Sequence, residues 1–446
     1  MAAEPIPDET TVAPPASEVS PRRARAARWA KLLATFLTGQ TLVQGLNVLT
    51  GFLLLRWMSV EAYAQYTVAN SFQGTIGVLT DLGVSGSIVA LVGQRIHDKR
   101  VVGEYVRAAR AFRGRMFLVM ALVAAVAFPL VTKNQPWAWH VKLLLLGGVL
   151  TQIFFSAWGM YNAPLLMHRR LADSYRAATV PAFLRLAVSW AFHAAGALTG
   201  WLATWINGTM TLVGGWMTRR ASRDLMEEPP RADPERTREI VRYLTPLWPM
   251  TAFVALQGQL TVFLIALFGS TRAVADIGAL GRLGQLIGVL GAANTVILGP
   301  AAAACSETRI LRLTLVASLA WVLGAVICVG LIVAEPRLVE WLLGPKYASA
   351  LPLAWLAATV SFTANLGLAW QAIATSRLLV NMQSGVLLPT LAIALQAIAI
   401  PFLDLSKAQS VLFLSLLVWV AYLAVFGVVI VHGLSLRGLS RGTRRT

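Results

Sequence analysis

The stretch that decides the fold covers residues 52–93 and reads FLLLRWMSVEAYAQYTVANSFQGTIGVLTDLGVSGSIVALVG. An apolar run ends at Arg56, a short polar turn follows, and a second long apolar run carries Asp81 in its middle. Residues 263–304 repeat this arrangement at a constant offset of 211 positions, as FLIALFGSTRAVADIGALGRLGQLIGVLGAANTVILGPAAAA. The aligned identities include Ser59 with Ser270, Ala62 with Ala273, Ala64 with Ala275, and the run 76–79 with 287–290. A helical hairpin that recurs halfway along a chain predicts two related bundles with a shared cavity between them.

The composition indicates a membrane protein. Of the 446 residues, 57% are hydrophobic and 13% are charged, whereas soluble proteins carry about 25% charged residues. Apolar segments long enough to cross a bilayer recur along the whole chain, which excludes a large soluble core. Most of the Lys and Arg residues that give the net charge of +18 lie in the loops between the apolar spans. This distribution is typical of a membrane protein with a fixed orientation, and it predicts no nucleic-acid partner. Cys305 and Cys328 are far apart, so the sequence predicts no disulfide framework, no metal site and no cofactor.

The apolar spans predict an all-α polytopic membrane protein of about twelve transmembrane helices in two pseudo-symmetric six-helix bundles around a central cavity. The predicted spans are 32–55, 66–93, 116–133, 143–166, 177–197, 198–218, 244–268, 277–304, 312–334, 350–375, 384–403 and 410–433. The predicted domains are a disordered basic cytoplasmic tail at 1–31, an N-terminal bundle at 32–218, a charged cytoplasmic linker at 219–243, a C-terminal bundle at 244–433 and a basic cytoplasmic tail at 434–446.

The distribution of basic residues predicts the orientation of the chain. With the N-terminus placed inside, 29 of the 38 Lys and Arg residues lie in inside segments and 7 lie in outside loops. This bias predicts that both termini are cytoplasmic. For residues 101–113 the sequence predicts either a basic amphipathic helix that lies on the inner membrane surface or a positively charged cytoplasmic loop.

Polar side chains recur within the spans at spacings of three and four, which places each set on one side of its helix. Polar groups are costly against lipid, so these sides are predicted to face the bundle interior. For the amides, helix-packing contacts are the favoured alternative, whereas the charged groups favour a water-filled cavity. The candidate cavity residues are Gln44, Asn47, Arg185, Ser189, His193, Arg282 and Gln285.

The two deepest predicted charges are Arg185 and Asp81. Arg185 either binds an anionic headgroup, whose phosphate geometry matches the guanidinium fork, or pairs with Asp81. Asp81 would repel an anion, so it is predicted to act on conformation. It either neutralises a buried arginine, with Arg185 as the leading candidate, or takes up a proton. Arg282 either lines the cavity or, as the simpler alternative, snorkels to water at the outer face, and His193 is either a titrating group or a packed side chain.

Several motifs of membrane enzymes are missing from the sequence. It contains no Walker motif, no HExxH, no GxSxG and no paired acidic cluster at a membrane face. No outside loop is long enough to hold a catalytic domain. The sequence therefore predicts a protein that is not an enzyme and has no built-in ATPase.

Two hinge motifs carry a family resemblance. The first combines Arg56, the hinge Glu61-Ala62-Tyr63 and the triplet Asp81-Leu82-Gly83; the second is the run 342–347, LLGPKY, followed by Ala350 and Leu351. With these motifs the chain resembles the polysaccharide-transporter branch of the multidrug/oligosaccharidyl-lipid/polysaccharide exporter superfamily. The similarity extends over roughly residues 30–435 in the layout of the helices.

This resemblance implies a flippase that moves an undecaprenyl-diphosphate-linked oligosaccharide across the bacterial inner membrane by alternating access. The products would be O-antigen, capsule or exopolysaccharide. The resemblance further implies a lipid-linked oligosaccharide substrate, contact with membrane lipid, and polysaccharide polymerase and glycosyltransferases as partners. Two alternatives stay open: an ion-coupled exporter of small molecules with the same fold, and a non-transporting membrane component of a glycan assembly pathway.

Overall fold

The computed structural model describes residues 21–246, 248–377, 379 and 382–442. Every regular element in these residues is helical. The helices are α1 Pro21–Trp57, α2 Val60–Asp81, α3 Val84–Val92, α4 Lys99–Val131, α5 Trp139–Leu150, α6 Ile153–Trp158, α7 Asn162–Met167, α8 Leu171–Ala194, α9 Gly200–Ser222, α10 Pro234–Leu244, α11 Trp248–Phe268, α12 Thr271–Ala293, α13 Gly299–Ala304, α14 Glu307–Ala334, α15 Pro336–Leu343, α16 Ala354–Ser376, α17 Met382–Ala399 and α18 Ala408–Gly442.

These helices form twelve segments that run between the two ends of the molecule, and the predicted all-α membrane fold is confirmed. Three of the segments are interrupted: α2 continues into α3, α5 into α6 and α7, and α12 into α13 through a π turn. Within the described residues, eight helical stretches are long and apolar enough to cross a membrane. Helices α1, α8, α9 and α17 are not among the eight, and the first three carry many of the polar side chains described below. The N-terminal lobe contains α1–α9, and the C-terminal lobe contains α11–α18.

The sequence repeat reappears as a repeat of structure. The offset of 211 carries the first residue of α2, Val60, onto the first residue of α12, Thr271, and the first residue of α8 onto that of α17. The two aligned serines cap equivalent helices: Ser59 accepts a hydrogen bond from Ala62 N at 3.1 Å, and Ser270 accepts one from Ala273 N at 3.2 Å. Such caps satisfy one of the free amides at a helix start. The repeated serines therefore fix where both second helices begin.

The two lobes meet where α2 crosses α12. A Cβ atom on Gly278 would overlap the Thr67 side chain, so the close approach of the two helices requires glycine at this position. The offset pairs Thr67 with Gly278, so the contact joins equivalent points of the two repeats and lies on their pseudo-two-fold axis. Next to it, the Tyr63 hydroxyl donates to the carbonyl of Gly278 at 3.2 Å.

The turns between the helices lie at two ends of the molecule, and we call the end that carries most of the Lys and Arg residues the basic face and the other end the opposite face. The basic face holds the turns at 93–99, 167–171, 222–248 and 304–307, and the opposite face holds those at 57–60, 131–139, 194–200 and 268–271. The opposite face is closed by hydrogen bonds between the lobes. Asn134 Nδ2 donates to Leu267 O at 2.6 Å, and Gln135 Nε2 donates to Ala266 O at 2.8 Å. From the other lobe, Lys346 Nζ donates to Arg56 O at 2.9 Å.

Both predicted tails are shorter than the sequence suggests. Helix α1 begins at Pro21, so residues 21–31 are helical, and α18 extends to Gly442. The run PRRARAARWAK is rich in Ala and Arg, which are strong helix formers, and its proline stands at the first position, where proline is tolerated. Residues 1–20 and 443–446 of the predicted tails lie outside the described residues.

The predicted linker at 219–243 contains a helix, α10, that packs on the N-terminal lobe. Asp233 caps this helix by accepting from Glu235 N at 2.8 Å. Ile240 and Leu244 are buried in one apolar cluster with residues of α3 and α4. Because the apolar side of α10 is covered in this way, the segment is a docked element of the N-terminal lobe, whereas its charge and proline content suggest a loose connection.

Residues 101–113 belong to the long helix α4 and do not lie on the membrane surface as a separate helix. Val102, Val106, Ala109 and Arg113 are all buried, and their spacing places them on one side of α4. The predicted surface helix is therefore wrong, because this side packs against α3, α7 and α10.

Candidate functional site

A polar cavity of about 520 Å³ lies between the lobes. Helices α1, α2, α8 and α9 line it from the N-terminal lobe, and α11 and α12 line it from the C-terminal lobe. Five of the candidate residues line this cavity: Gln44, Asn47, Arg185, Arg282 and Gln285. Their helical spacing turns the polar sides of α1, α8 and α12 toward one another.

Arg185 is held in the cavity wall by two amide oxygens. Its Nη1 donates to Asn207 Oδ1 at 2.7 Å, and its Nη2 donates to Asn47 Oδ1 at 2.6 Å. The Nε atom is buried and has no hydrogen-bond partner. The guanidinium therefore lies in the cavity with a fixed orientation, an uncompensated charge and one unused donor.

The orientation of Asn207 is itself fixed by its neighbours. Its Nδ2 donates to Gln73 Oε1 at 2.7 Å. Gln73 Nε2 in turn donates to the carbonyls of Gly148 at 2.8 Å and Thr204 at 3.1 Å. Because the backbone fixes Gln73, the amide of Asn207 must present its oxygen to Arg185.

Arg282 forms the facing wall, from the C-terminal lobe. It is 8% exposed, and its Nε donates to the Tyr63 hydroxyl at 2.9 Å and its Nη1 to Gln285 Oε1 at 3.0 Å. The guanidinium also lies 5.8 Å from the ring centre of Tyr66, a favourable cation–π distance. Of the two alternatives for Arg282, snorkelling to the outer face does not occur, because this tyrosine pair and Gln285 bind the guanidinium within the bundle.

The charge of the cavity is entirely positive. Among the described residues that line it, two are arginines and none is acidic. Eight lining residues are amides, which offer both donors and acceptors. They are Gln44, Asn47, Asn70, Gln73, Gln152, Asn207, Gln259 and Gln285. Such a site suits a ligand that has an anionic group and many hydroxyls.

A second cavity, of about 460 Å³, extends from this site toward the basic face. It shares Asn47, Arg185 and Asn207 with the first cavity, and it reaches Asn162 and Thr218 near the turns of the basic face. The hydrogen bonds at the opposite face close the other end. The central site is therefore approached from the basic face in this conformation.

Two candidate residues lie away from both cavities. Ser189 is buried and His193 stacks on Trp57, with ring centres 4.9 Å apart. Neither is among the residues that line the two cavities. They share a helix side with Arg185, but Ser189 is buried and His193 contacts Trp57 of α1, so both contribute to helix packing here.

Asp81 pairs with Arg113, not with Arg185. The Arg113 Nη1 atom lies 3.2 Å from Asp81 Oδ1, and the side chains are 0% and 26% exposed respectively. The Arg113 guanidinium also donates to the carbonyl of Phe155 at 3.3 Å and lies over its ring at 4.8 Å. Of the two predicted alternatives, the structure shows pairing with a buried arginine, but the predicted partner is wrong because α4 carries its own arginine into the core.

Sequence reasoning missed Gln73, Asn207 and Arg113. Asn207 is the single Asn or Gln in α9, and an isolated amide in an apolar helix is a usable signal of an interior contact. Arg113 follows the buried positions of α4 at helical spacing, which the assumption of a surface helix concealed.

The comparison with known proteins shows the fold. No protein-family model and no curated protein sequence matches the chain. Among solved structures, it is similar to an inward-facing MATE-family multidrug resistance transporter of the MOP superfamily, with a TM-score of 0.65, 15% identity and coverage of 90% of this chain and 96% of the other. It is also similar to the lipid II flippase MurJ, with a TM-score of 0.64, 10% identity and coverage of 92% and 93%. A eukaryotic MATE transporter gives a TM-score of 0.59 at 10% identity, with coverage of 91% and 96%.

Proposed function

We propose that this protein is a flippase for a lipid whose headgroup joins an oligosaccharide to a phosphate or diphosphate. The observation that carries the proposal is the central cavity, which has one arginine from each lobe, eight amides and no acidic residue among the described lining. Arginine is suited to phosphate because its planar fork makes two parallel hydrogen bonds. The amides are suited to sugar hydroxyls, which both donate and accept.

The placement of the two arginines supports an alternating-access mechanism. Arg185 belongs to the N-terminal lobe and Arg282 to the C-terminal lobe, so an anion between them contacts both lobes at once. The lobes would rock about the crossing of Thr67 and Gly278, which lies on their pseudo-two-fold axis. Breaking the hydrogen bonds of the opposite face would then expose the same site to the other side of the membrane.

The basic face is proposed to be cytoplasmic, with both termini inside, because it carries most of the Lys and Arg residues. On this orientation the headgroup enters from the cytoplasm of a bacterial inner membrane and leaves on the outer side. The product would feed O-antigen, capsule or exopolysaccharide assembly, with glycosyltransferases acting before the flippase and a polymerase after it. The protein would move its substrate without changing a covalent bond, so it is not an enzyme.

An exporter of small molecules is the second candidate, because two of the similar solved structures are of multidrug resistance transporters. The cavity charge argues against a cationic drug, since Arg185 and Arg282 would repel it. An anionic or neutral small solute would be compatible with the same walls. The flippase is favoured because the cavity offers many more polar contacts than a small solute uses.

The test is flipping by the purified full-length protein in liposomes, with a fluorescent polyprenyl-diphosphate oligosaccharide as substrate. A charge-assisted hydrogen bond contributes about 1.5–3 kcal/mol, so Arg185→Gln should slow flipping by about tenfold or more. Ser189→Ala is the matched control, because Ser189 lies on the same helix, is buried and lines neither cavity. Equal flipping by wild type and Arg185→Gln, or efflux of a cationic dye without lipid flipping, would overturn the proposal.

A further inference from the structure

The two lobes close the opposite face with a pair of equivalent contacts. Gln135 Nε2 of the N-terminal lobe donates to the carbonyl of Gly269 at 3.1 Å. Lys346 Nζ of the C-terminal lobe donates to the carbonyl of Met58. The offset of 211 carries Gln135 onto Lys346 and Met58 onto Gly269, so each lobe holds the end of the other's first helix. We call these two contacts the reciprocal clamp.

One half of the reciprocal clamp is neutral and the other is charged. The amide of Gln135 makes its contacts without a charge, which shows that this geometry needs only a donor. The ammonium of Lys346 therefore brings a positive charge that closure of the face does not require. An ammonium at this seam needs another reason, because it is half-buried between the lobes and costs more to desolvate than an amide.

The surroundings of Lys346 supply that reason. A cavity of about 700 Å³ opens beside it on the opposite face, and three cations, Arg56, Arg337 and Lys346, line this cavity together with one acidic residue, Glu340. In the part of the chain that the structure describes, none of the three cations lies within 4.0 Å of a carboxylate. We call this cavity the seam pocket.

We infer that the seam pocket binds the phosphate group of a membrane lipid at the opposite face. Arg56 is oriented for this role, because it donates to the carbonyl of Trp341 and lies 5.5 Å from that ring. Trp341 is 70% exposed and lies in the short helix α15, which joins two segments long and apolar enough to cross a membrane. Exposed tryptophans between such segments are enriched at the headgroup level of the bilayer. Two arginines and a lysine then meet a phosphate at the depth where lipid phosphates lie.

Phosphate binding in the seam pocket opposes the reciprocal clamp. The ammonium of Lys346 holds two backbone carbonyls, which are dipoles, whereas a phosphate offers it a full negative charge. A phosphate in the pocket would draw Lys346 away from Arg56 O and Met58 O, and the C-terminal lobe would then hold the end of α1 only through the contact of Arg56 with the Trp341 carbonyl. The anion therefore acts on the charged half of the clamp and leaves the Gln135 half unaffected. In this way a lipid phosphate favours opening of the opposite face.

The site is tested with inorganic pyrophosphate in a background of Arg185→Gln and Arg282→Gln, so that the central cavity contributes no binding. Pyrophosphate affinity is measured by calorimetry on the full-length protein in detergent. We expect Lys346→Gln to weaken binding at least about tenfold, with an unchanged thermal midpoint because glutamine keeps the neutral form of the clamp. The control is Lys133→Gln, which removes an exposed charge of the same face outside the pocket and should leave affinity unchanged. Equal affinity in all variants, or no binding at all, would contradict the inference.

Opening is measured in the same background by the distance between spin labels at Ala195 and Lys407, one in each lobe, after serine replacement of both cysteines. Pyrophosphate should lengthen this distance, and the Lys346→Gln variant should not respond; binding without any lengthening would overturn the link to the clamp. Nanodiscs then distinguish the source of the phosphate. Lengthening in phosphatidylglycerol but not phosphatidylcholine identifies an ordinary phospholipid, and lengthening only with a polyprenyl diphosphate identifies the transported lipid. Either result supports the site, and both can be obtained whether or not the proposed flipping is correct.

Discussion

The second helix of each lobe is interrupted at an equivalent point, since the offset carries Gly83 onto Asn294. In the N-terminal lobe Leu82 and Gly83 adopt the left-handed backbone conformation, with φ of 43° and 88°. In the C-terminal lobe the interruption is a π turn over Asn294–Leu298. The two lobes therefore reach the same bent shape by different backbone routes.

The side chains that hold these interruptions also differ. In the N-terminal lobe Asp81 accepts from the Ser85 hydroxyl at 2.7 Å and pairs with Arg113. In the C-terminal lobe Asn294 Nδ2 donates to Asn365 O at 2.8 Å, and Asn294 Oδ1 accepts from Trp321 Nε1 at 3.1 Å. One break is held by an ion pair and the other by neutral hydrogen bonds. The comparison teaches that the bend belongs to the fold, whereas the charge belongs to the N-terminal lobe alone.

The largest expected effect comes from breaking the ion pair on its exposed side. Asp81→Asn would leave Arg113, which is 0% exposed, without a counter-charge, and losing one partner of a buried pair costs about 3–5 kcal/mol. Arg113→Met should lower the free energy of unfolding by less, because Asp81 is partly exposed to solvent and still accepts the hydrogen bond from Ser85. The free energy of unfolding in detergent, measured by denaturant titration, compares the two.

The double variant Asp81→Asn with Arg113→Met should recover much of the loss caused by Asp81→Asn alone, because no buried charge is left unpaired. Additive losses in the double variant would mean that the two side chains act separately and that the ion pair does not hold the N-terminal break.

A smaller loss is expected at the neutral break. Asn294→Ala removes the partners of the Asn365 carbonyl and the Trp321 indole, and an unsatisfied buried group costs about 1–3 kcal/mol. The same denaturant titration measures this loss. Thr359→Ala is the control, because its exposed hydroxyl bonds only to a carbonyl one turn earlier in its own helix, and such changes stay within about 0.5 kcal/mol. A loss at Asn294 as large as that at Asp81 would remove the distinction between the two breaks.

The smallest expected effect comes from the left-handed backbone conformation at the break in the N-terminal lobe. Gly83→Ala places a side chain in a left-handed conformation, which costs about 1–2 kcal/mol. Gly86→Ala lies three residues later in helix α3, where a Cβ atom would meet nothing within 4 Å, and alanine there should stabilise the helix by up to about 1 kcal/mol. If thermal unfolding gave both variants the same midpoint, the left-handed turn would carry no strain.

Much of the fold could be predicted because hydropathy and helical spacing are local properties of the sequence. The repeat at an offset of 211 and the spacing of Gln44, Asn47, Arg185 and Gln285 both place polar sides toward an interior. What the sequence did not provide was the partner of Asp81. Pairing depends on which helices are neighbours, and nothing in the spacing within one helix shows that α4, with Arg113, lies beside the end of α2.

The docked helix α10 also escaped prediction, for a related reason. Its sequence, PERTREIVRYL, is charged and begins with proline, features that are typical of loops as well as of helix starts. The contacts that keep it in place join distant parts of the chain, such as Arg236 with Glu104 at 3.3 Å. The segment that precedes α10 is held in the same way, by a hydrogen bond from Glu227 N to Lys99 O at 2.9 Å. Contacts between segments so far apart in sequence leave no local pattern.

The position of α10 shows where the two sequence repeats divide relative to the two lobes. The offset carries residues 234–244 back onto residues 23–33, which in the first repeat are a continuous part of α1. In the second repeat this helix ends at Leu244, and α11 starts at Trp248. The opening segment of the second repeat is thus packed on the first lobe, as in a one-way domain swap. The boundary between the repeats and the boundary between the lobes are therefore different points of the chain, and one helix of the second sequence repeat belongs to the first structural unit.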